Sequence, residues 1–226
     1  MNLSISEGEQ LVNEVLSKLP SLKPNQHVVF CGPFTHLDRL SGVLKNQSSA
    51  SIHLGAQNCH DKVSGAYTGE ISISMLKELN VDTVIIGHSE RRQYFQESNE
   101  FLKSKVNALV EANMHVLFCC GEPLSIREAG TQNAFVEKQL EESLFHLSGD
   151  QMMSSITIAY EPIWAIGSGK IPQLLEIEAV HAYIKSVLGS STPVLYGGSV
   201  NSTNAEASVA WPHRSASSTG VNQRMR

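Results

Sequence analysis

Short apolar runs rich in β-branched residues alternate along this chain with longer stretches whose apolar positions recur three and four residues apart. The runs are His27–Gly32, Ile52–Ala56, Thr83–Gly87, His115–Cys119, Ile156–Tyr160 and Thr192–Tyr196. Each is nearly continuous in apolar residues, as expected of strands covered on both faces, so six strands of a parallel sheet are predicted. Between them, the stripes Leu11, Val15, Leu16 and Leu19, then Val106, Leu109 and Val110, then Val136, Leu140, Leu144 and Leu147 predict helices that coat the sheet. This is α/β organisation built from βαβ units. No linker or shift in composition interrupts residues 1–207, which read as a single domain. Residues 208–226, rich in Ser and Arg and carrying neither pattern, read as a disordered tail.

Composition narrows the function classes. With 226 residues and 41% hydrophobic content, the chain can bury a sizeable core, and global disorder is excluded. Seventeen basic against 22 acidic residues give a net charge of −5, so nothing marks a nucleic-acid or anionic-membrane partner, and a small anionic ligand would need a local site. No apolar run approaches the roughly 18 residues of a membrane span, and MNLSISEGEQ lacks the regions of a signal peptide, so a cytoplasmic location is expected. The four cysteines, Cys31, Cys59, Cys119 and Cys120, show no disulfide spacing and read as reduced thiols. His53, Cys59 and His60 come nearest to a zinc set, but two of them are neighbours and no second ligand pair follows, so no metal is expected.

Barrel-like βα proteins place their chemistry at the carboxyl ends of the strands. There His88 follows one apolar run and opens a polar, helix-starting segment, where a helix N-terminus would favour a neutral imidazole able to polarise a carbonyl. The plainer reading is a histidine that caps the strand. Glu161, after Ile-Thr-Ile-Ala-Tyr, is a candidate general base, or else half of an ion pair with Arg91, Arg92 or Lys170. The stretch Pro162–Lys170 joins a stiff start to an apolar tip with Trp164 and Ile166 and a glycine-rich end, the makings of a closing lid and not of a plain loop. Gly197-Gly198-Ser199 offers amides and a hydroxyl to an anion, although three such residues alone are a weak signal. Glu122 reads as structural, closing a loop by an ion pair with Arg127 or a neighbour, and the adjacent Cys119 and Cys120 as core thiols on opposite faces of a strand.

Taken together, AQN (56–58), GAYTGEIS (65–72), GHSERR (87–92), CCGE (119–122), REAG (127–130), AYEPIWAIGSGK (159–170) and YGGSV (196–200) resemble the triosephosphate isomerase family in order and spacing, from residue 1 to about residue 207. The resemblance implies an eightfold TIM (β/α)8-type barrel, incomplete here with six of eight strands recognisable. It implies interconversion of dihydroxyacetone phosphate and glyceraldehyde 3-phosphate through an enediolate, in glycolysis and gluconeogenesis, without metal or organic cofactor. Matched residue by residue, Glu161 resembles the family's base and His88 its neutral electrophile. Gly167, Gly198 and Ser199 match substrate-phosphate positions, and Ala165, Ile166, Ser168, Gly169 and Lys170 lie in the lid. Gln57–Thr68 resembles the loop that inserts into a second subunit of a homodimer.

The chain departs from that pattern at its ends. The family's first strand, with an Asn and a cationic Lys that contact substrate, and its last strand and helix have no counterpart here. Ile171-Pro172-Gln173-Leu174-Leu175 stands where the family commonly reads Thr-Ala-Thr-Pro, which one back-translation of the same codons gives two bases later. Short frame errors and an internal Met taken as the start are the expected origin. A non-catalytic relic or partner subunit of the same fold is the alternative to an active isomerase.

Overall fold

The computed structural model describes residues 2–47, 49–166 and 172–198. Helices and strands follow in the order α1 (Ile5–Lys18), β1 (Val28–Gly32), α2 (Phe34–Leu44), β2 (Ile52–Ala56), α3 (Ile73–Glu78), β3 (Thr83–Ile86), α4 (Ser89–Tyr94) and α5 (Asn99–Glu111). Then come β4 (His115–Cys120), α6 (Leu124–Glu128), α7 (Gln132–Leu144), α8 (Gly149–Ser155), β5 (Ile156–Tyr160), a 3-10 turn at Ile163–Ala165, α9 (Leu174–Leu188) and β6 (Val194–Tyr196). The six strands keep sequence order in their sheet. The β1–β2, β2–β3 and β5–β6 pairs are parallel, with Val29 opposite His53, Gly55 opposite Thr83, and Tyr160 opposite Tyr196. Among the described residues no helix is long and apolar enough to cross a membrane.

The residues fall into two compact units, Met1–Ile86 with Ser104–Val116, and Gly87–Lys103 with Leu117 onward. In the first, Leu37, Leu40, Leu54, Leu76, Val84, Ile86, Val106 and Leu109 are buried. In the second, Leu102, Phe118, Val136, Leu140, Leu144, Ile156, Ile158, Val180, Ile184 and Val194 play that part. All five residues of β5 are buried, whereas the first four of β1 are only half-buried, so two-sided covering holds for one strand and not for the other. The α1 stripe is shifted as well: Gly8 and Val12 are its buried positions, while Leu11, Val15 and Leu16 are half-buried.

Local chemistry explains where the elements stop. The helix α1 begins at a capping box, in which the Ser4 hydroxyl accepts from the Glu7 amide and the Glu7 carboxylate accepts the Ser4 N–H at 2.7 Å. The strand β3 is shorter than its apolar run because Gly87 turns to φ +79°, a left-handed conformation that favours glycine. Thr192 and Pro193 fall outside β6, since proline has no N–H to give a ladder, although the Pro193 carbonyl still accepts the Ile158 N–H at 2.9 Å. The segment at 172–175, where the sequence leaves its family pattern, starts α9: the Glu176 carboxylate caps the Gln173 N–H at 2.8 Å.

Candidate functional site

Two strand ends supply the central pair. His88 lies two residues beyond β3 and is the N-cap of α4, its Nδ1 accepting the Glu90 N–H at 3.3 Å. A ring nitrogen that accepts carries no proton, so the ring proton sits on Nε2. That Nε2 is 3.2 Å from Oε1 of Glu161, the residue after β5. The other oxygen, Oε2, accepts the Ser89 N–H at 3.1 Å. The strand-cap and site readings of His88 are therefore not exclusive: one ring nitrogen caps the helix and the other faces the carboxylate.

Glu161 is 5% exposed, and burial pushes its carboxyl above the usual carboxylate range. The facing His88 ring, the Ser89 amide, the Cys119 thiol donating a hydrogen bond, and the charge of Arg92 pull the other way and limit the rise. A carboxylate that is dry yet touched by donors can both take and return a proton. Its backbone is clamped too, with the Glu161 N–H donating to the Cys120 carbonyl at 2.7 Å and the Gly197 N–H to the Tyr160 carbonyl at 2.7 Å. A Cβ on Gly121 would collide with the Glu161 backbone, and one on Gly197 would come 2.8 Å from Glu161 Cγ, so glycine at these two positions is what lets the loops close on the base.

The arginines are not the partners of Glu161 that the sequence offered. Arg91 pairs with Glu97 at 2.9 Å and lies over the Phe95 ring. Arg92 is a strut, donating to the Gly87 and Cys119 carbonyls at 2.8 and 3.1 Å and to Asn99 Oδ1 at 2.5 Å. It reaches Glu161 only as a nearby charge. Cys119 is buried, as expected of a core thiol, but it also holds the candidate base; burial raises its own pKa well above the ordinary thiol value. Cys120 is pushed up to about 12 for the same first reason. Neither is a thiolate at neutral pH.

Glu122 is fully buried and forms a second cluster. Its carboxylate accepts the Tyr160 hydroxyl at 3.1 Å on both oxygens and the Trp164 indole N–H at 2.9 Å, while Arg127 approaches only to 3.9 Å. The structural role read from sequence holds, but hydrogen bonds from two aromatic residues carry it more closely than the Arg127 ion pair. Arg127 turns instead to Glu176 at 2.8 Å and lies over the Trp164 ring at 5.6 Å. The expected exposed apolar tip is thus corrected: Trp164 is half-buried and anchored, Ala165 is buried and Ile166 half-buried. Gly198 is buried beside the Tyr196 hydroxyl. Gly167, Ser168, Gly169, Lys170 and Ser199 lie outside the described residues, as does the stretch 208–226.

His53 hydrogen-bonds His27 and Asp82, and His60 faces Asp61 at 3.3 Å and stacks on Tyr67 at 4.4 Å. The four cysteines form no disulfide.

Parallel strands with intervening helices mark a βα-barrel class of protein, with an imidazole facing a buried carboxylate beyond two strand ends as its candidate site. A sequence model described as triosephosphate isomerase matches residues 1–214. The chain is 43% identical to a triosephosphate isomerase of Amoebophilus asiaticus, the match covering 94% of this chain and 86% of the relative. Relatives of the same name from Phocaeicola vulgatus and Bacteroides fragilis are 42% and 41% identical with the same coverage. The chain belongs to the triosephosphate isomerase family, and it is an isomerase by that membership.

Proposed function

We propose that Glu161 and His88 carry the family's interconversion of dihydroxyacetone phosphate and glyceraldehyde 3-phosphate in this chain. The observation that supports it is the pair itself: a buried carboxylate of raised pKa, 3.2 Å from an imidazole whose other nitrogen is occupied by an amide. These roles are the ones the family's chemistry assigns; the geometry here fits them. Glu161 removes the proton from the carbon next to the carbonyl and returns it to the neighbouring carbon. His88, with Nδ1 taken up by the Glu90 amide and Nε2 turned to the site, donates from Nε2 to the substrate oxygens on which charge develops.

The remaining assignments rest on matched positions. Gly167, Gly198 and Ser199 bind the phosphate, and Ala165–Lys170 forms the lid over it. The anchored Trp164 gives that lid a fixed root. The loop Gln57–Thr68 pairs two copies as a homodimer. It is braced internally by the His60–Tyr67 stack and the Lys62–Asp61 pair at 2.7 Å, yet leaves Val63 72% and Tyr67 44% exposed, apolar surface that suits burial against a second copy. A cytoplasmic site of action goes with this chemistry.

A coupled isomerisation assay on the purified chain, with Glu161→Gln as control, tests the reading. Turnover that disappears in the control supports it. A chain no faster than its Glu161→Gln form overturns it in favour of a non-catalytic relic or partner subunit.

A further inference from the structure

At the amino ends of β1, β2 and β3, three side chains that the proton-transfer site does not use form a hydrogen-bonded chain. His53, the second residue of β2, sets its Nδ1 2.6 Å from Asp82 Oδ2 and its Nε2 3.1 Å from His27 Nδ1. Asp82 is held in place. Its Oδ1 accepts the Thr83 hydroxyl at 2.7 Å, its N–H donates to the Leu54 carbonyl at 3.2 Å, and its own carbonyl accepts the His115 N–H at 2.8 Å. His27 is fixed by its neighbour, since the Val28 N–H donates to the Ser51 carbonyl at 2.9 Å. The far end is open: the His27 residue is exposed, whereas the His53 side chain is 27% exposed.

The partners fix where the protons sit when both rings are neutral. A carboxylate can only accept, so His53 Nδ1 carries a proton and its Nε2 is a lone pair. That lone pair must be met by a donor, so His27 Nδ1 carries a proton as well. His27 Nε2 is then left as a lone pair on an exposed ring. Carboxylate, imidazole and terminal base stand in the order that activates nucleophiles elsewhere, with each group orienting the next.

We propose that His27 Nε2 is an acyl-acceptor site, reactive toward anhydrides and esters with good leaving groups. The lone pair attacks the carbonyl carbon and a nitrogen–carbon bond forms. The carbon–oxygen bond to the leaving group breaks, and its electron pair departs with that oxygen. The Nδ1 proton of the acylated ring passes to His53 Nε2, and Asp82 stabilises the resulting positive charge until the proton is lost to water. Hydrolysis by water returns the carboxylic acid and the free ring.

The probe is diethyl pyrocarbonate on the full chain, with each of the nine histidines followed by peptide mass spectrometry. His27 reacts faster than any other histidine and faster than N-acetylhistidine amide at the same pH. Asp82→Asn slows it by about tenfold or more, while the rate at His146 stays unchanged. Faster labelling of the buried His36 and His181 would show that Asp82→Asn disturbs the fold, and His53→Gln then decides. Its amide oxygen still accepts from His27 but cannot take the proton, so the same slowing is expected. A His27 rate no higher than that of the free amide, or one that neither Asp82→Asn nor His53→Gln lowers in a folded chain, overturns the proposal.

Discussion

Two buried glutamates stand near each other in sequence logic and apart in purpose. Glu161 and Glu122 are 5% and 0% exposed, and both lie just past the end of a strand. Glu122 is enclosed by donors with fixed positions, a phenol and an indole N–H, with Arg127 behind them. Glu161 meets an amide, a thiol and an imidazole, which are weaker or exchangeable partners, and burial raises its pKa. Burial alone therefore does not make a base. What distinguishes the two is whether the carboxylate's partners hold it or leave it able to accept a proton.

The comparison can be broken at several points. Glu161→Gln keeps the volume and removes the base, so turnover should fall by about 10²–10⁴ with the circular dichroism spectrum unchanged. Glu122→Ala should instead act on stability, costing about 2–5 kcal/mol in urea melts, because it removes the acceptor of the Tyr160 hydroxyl and the Trp164 N–H while Arg127 keeps Glu176. Gly121→Ala pushes a methyl into the Glu161 backbone and should cost about 1–3 kcal/mol while also lowering turnover, which a paired melt and assay would show. Trp164→Phe removes one donor to Glu122 at an expected cost of about 0.5–1.5 kcal/mol.

The smallest effect is one of pH. Because the folded chain raises the Glu161 pKa, it holds that proton more tightly than the unfolded chain does. The stability this contributes is fully present below the ordinary glutamate value of about 4.3 and is lost as pH rises through the folded value. Glu161→Gln has no such dependence. Its Tm should exceed that of the unaltered chain at neutral pH, and the gap should close on acidification, as scanning calorimetry at several pH values would measure.

Much of this was legible before the structure. Continuous apolar runs located the six strands of the described residues, including β1, whose first four residues are only half-buried. His88 and Glu161 stood out because each follows such a run. What the sequence hid were contacts made across long separations. The Ser89 amide on Glu161 spans 72 residues, and the Trp164 and Tyr160 donors on Glu122 span 42 and 38. Cys119 read as a core thiol, since nothing in CCGE says which side of the strand Glu161 will occupy. His53 read as a poor zinc ligand because its partners, His27 and Asp82, lie 26 and 29 residues away. Gly121 could have been suspected, as a glycine between a strand end and a buried carboxylate is where another backbone can come close.

The central claim is that burial raises the pKa of Glu161, and a titration of its side-chain carboxyl by carbon-13 NMR addresses that directly. The account predicts a midpoint above the usual glutamate range, and a further rise in His88→Gln, since His88 is the largest influence that lowers it. A midpoint within or below the ordinary range, or one indifferent to His88, would contradict it.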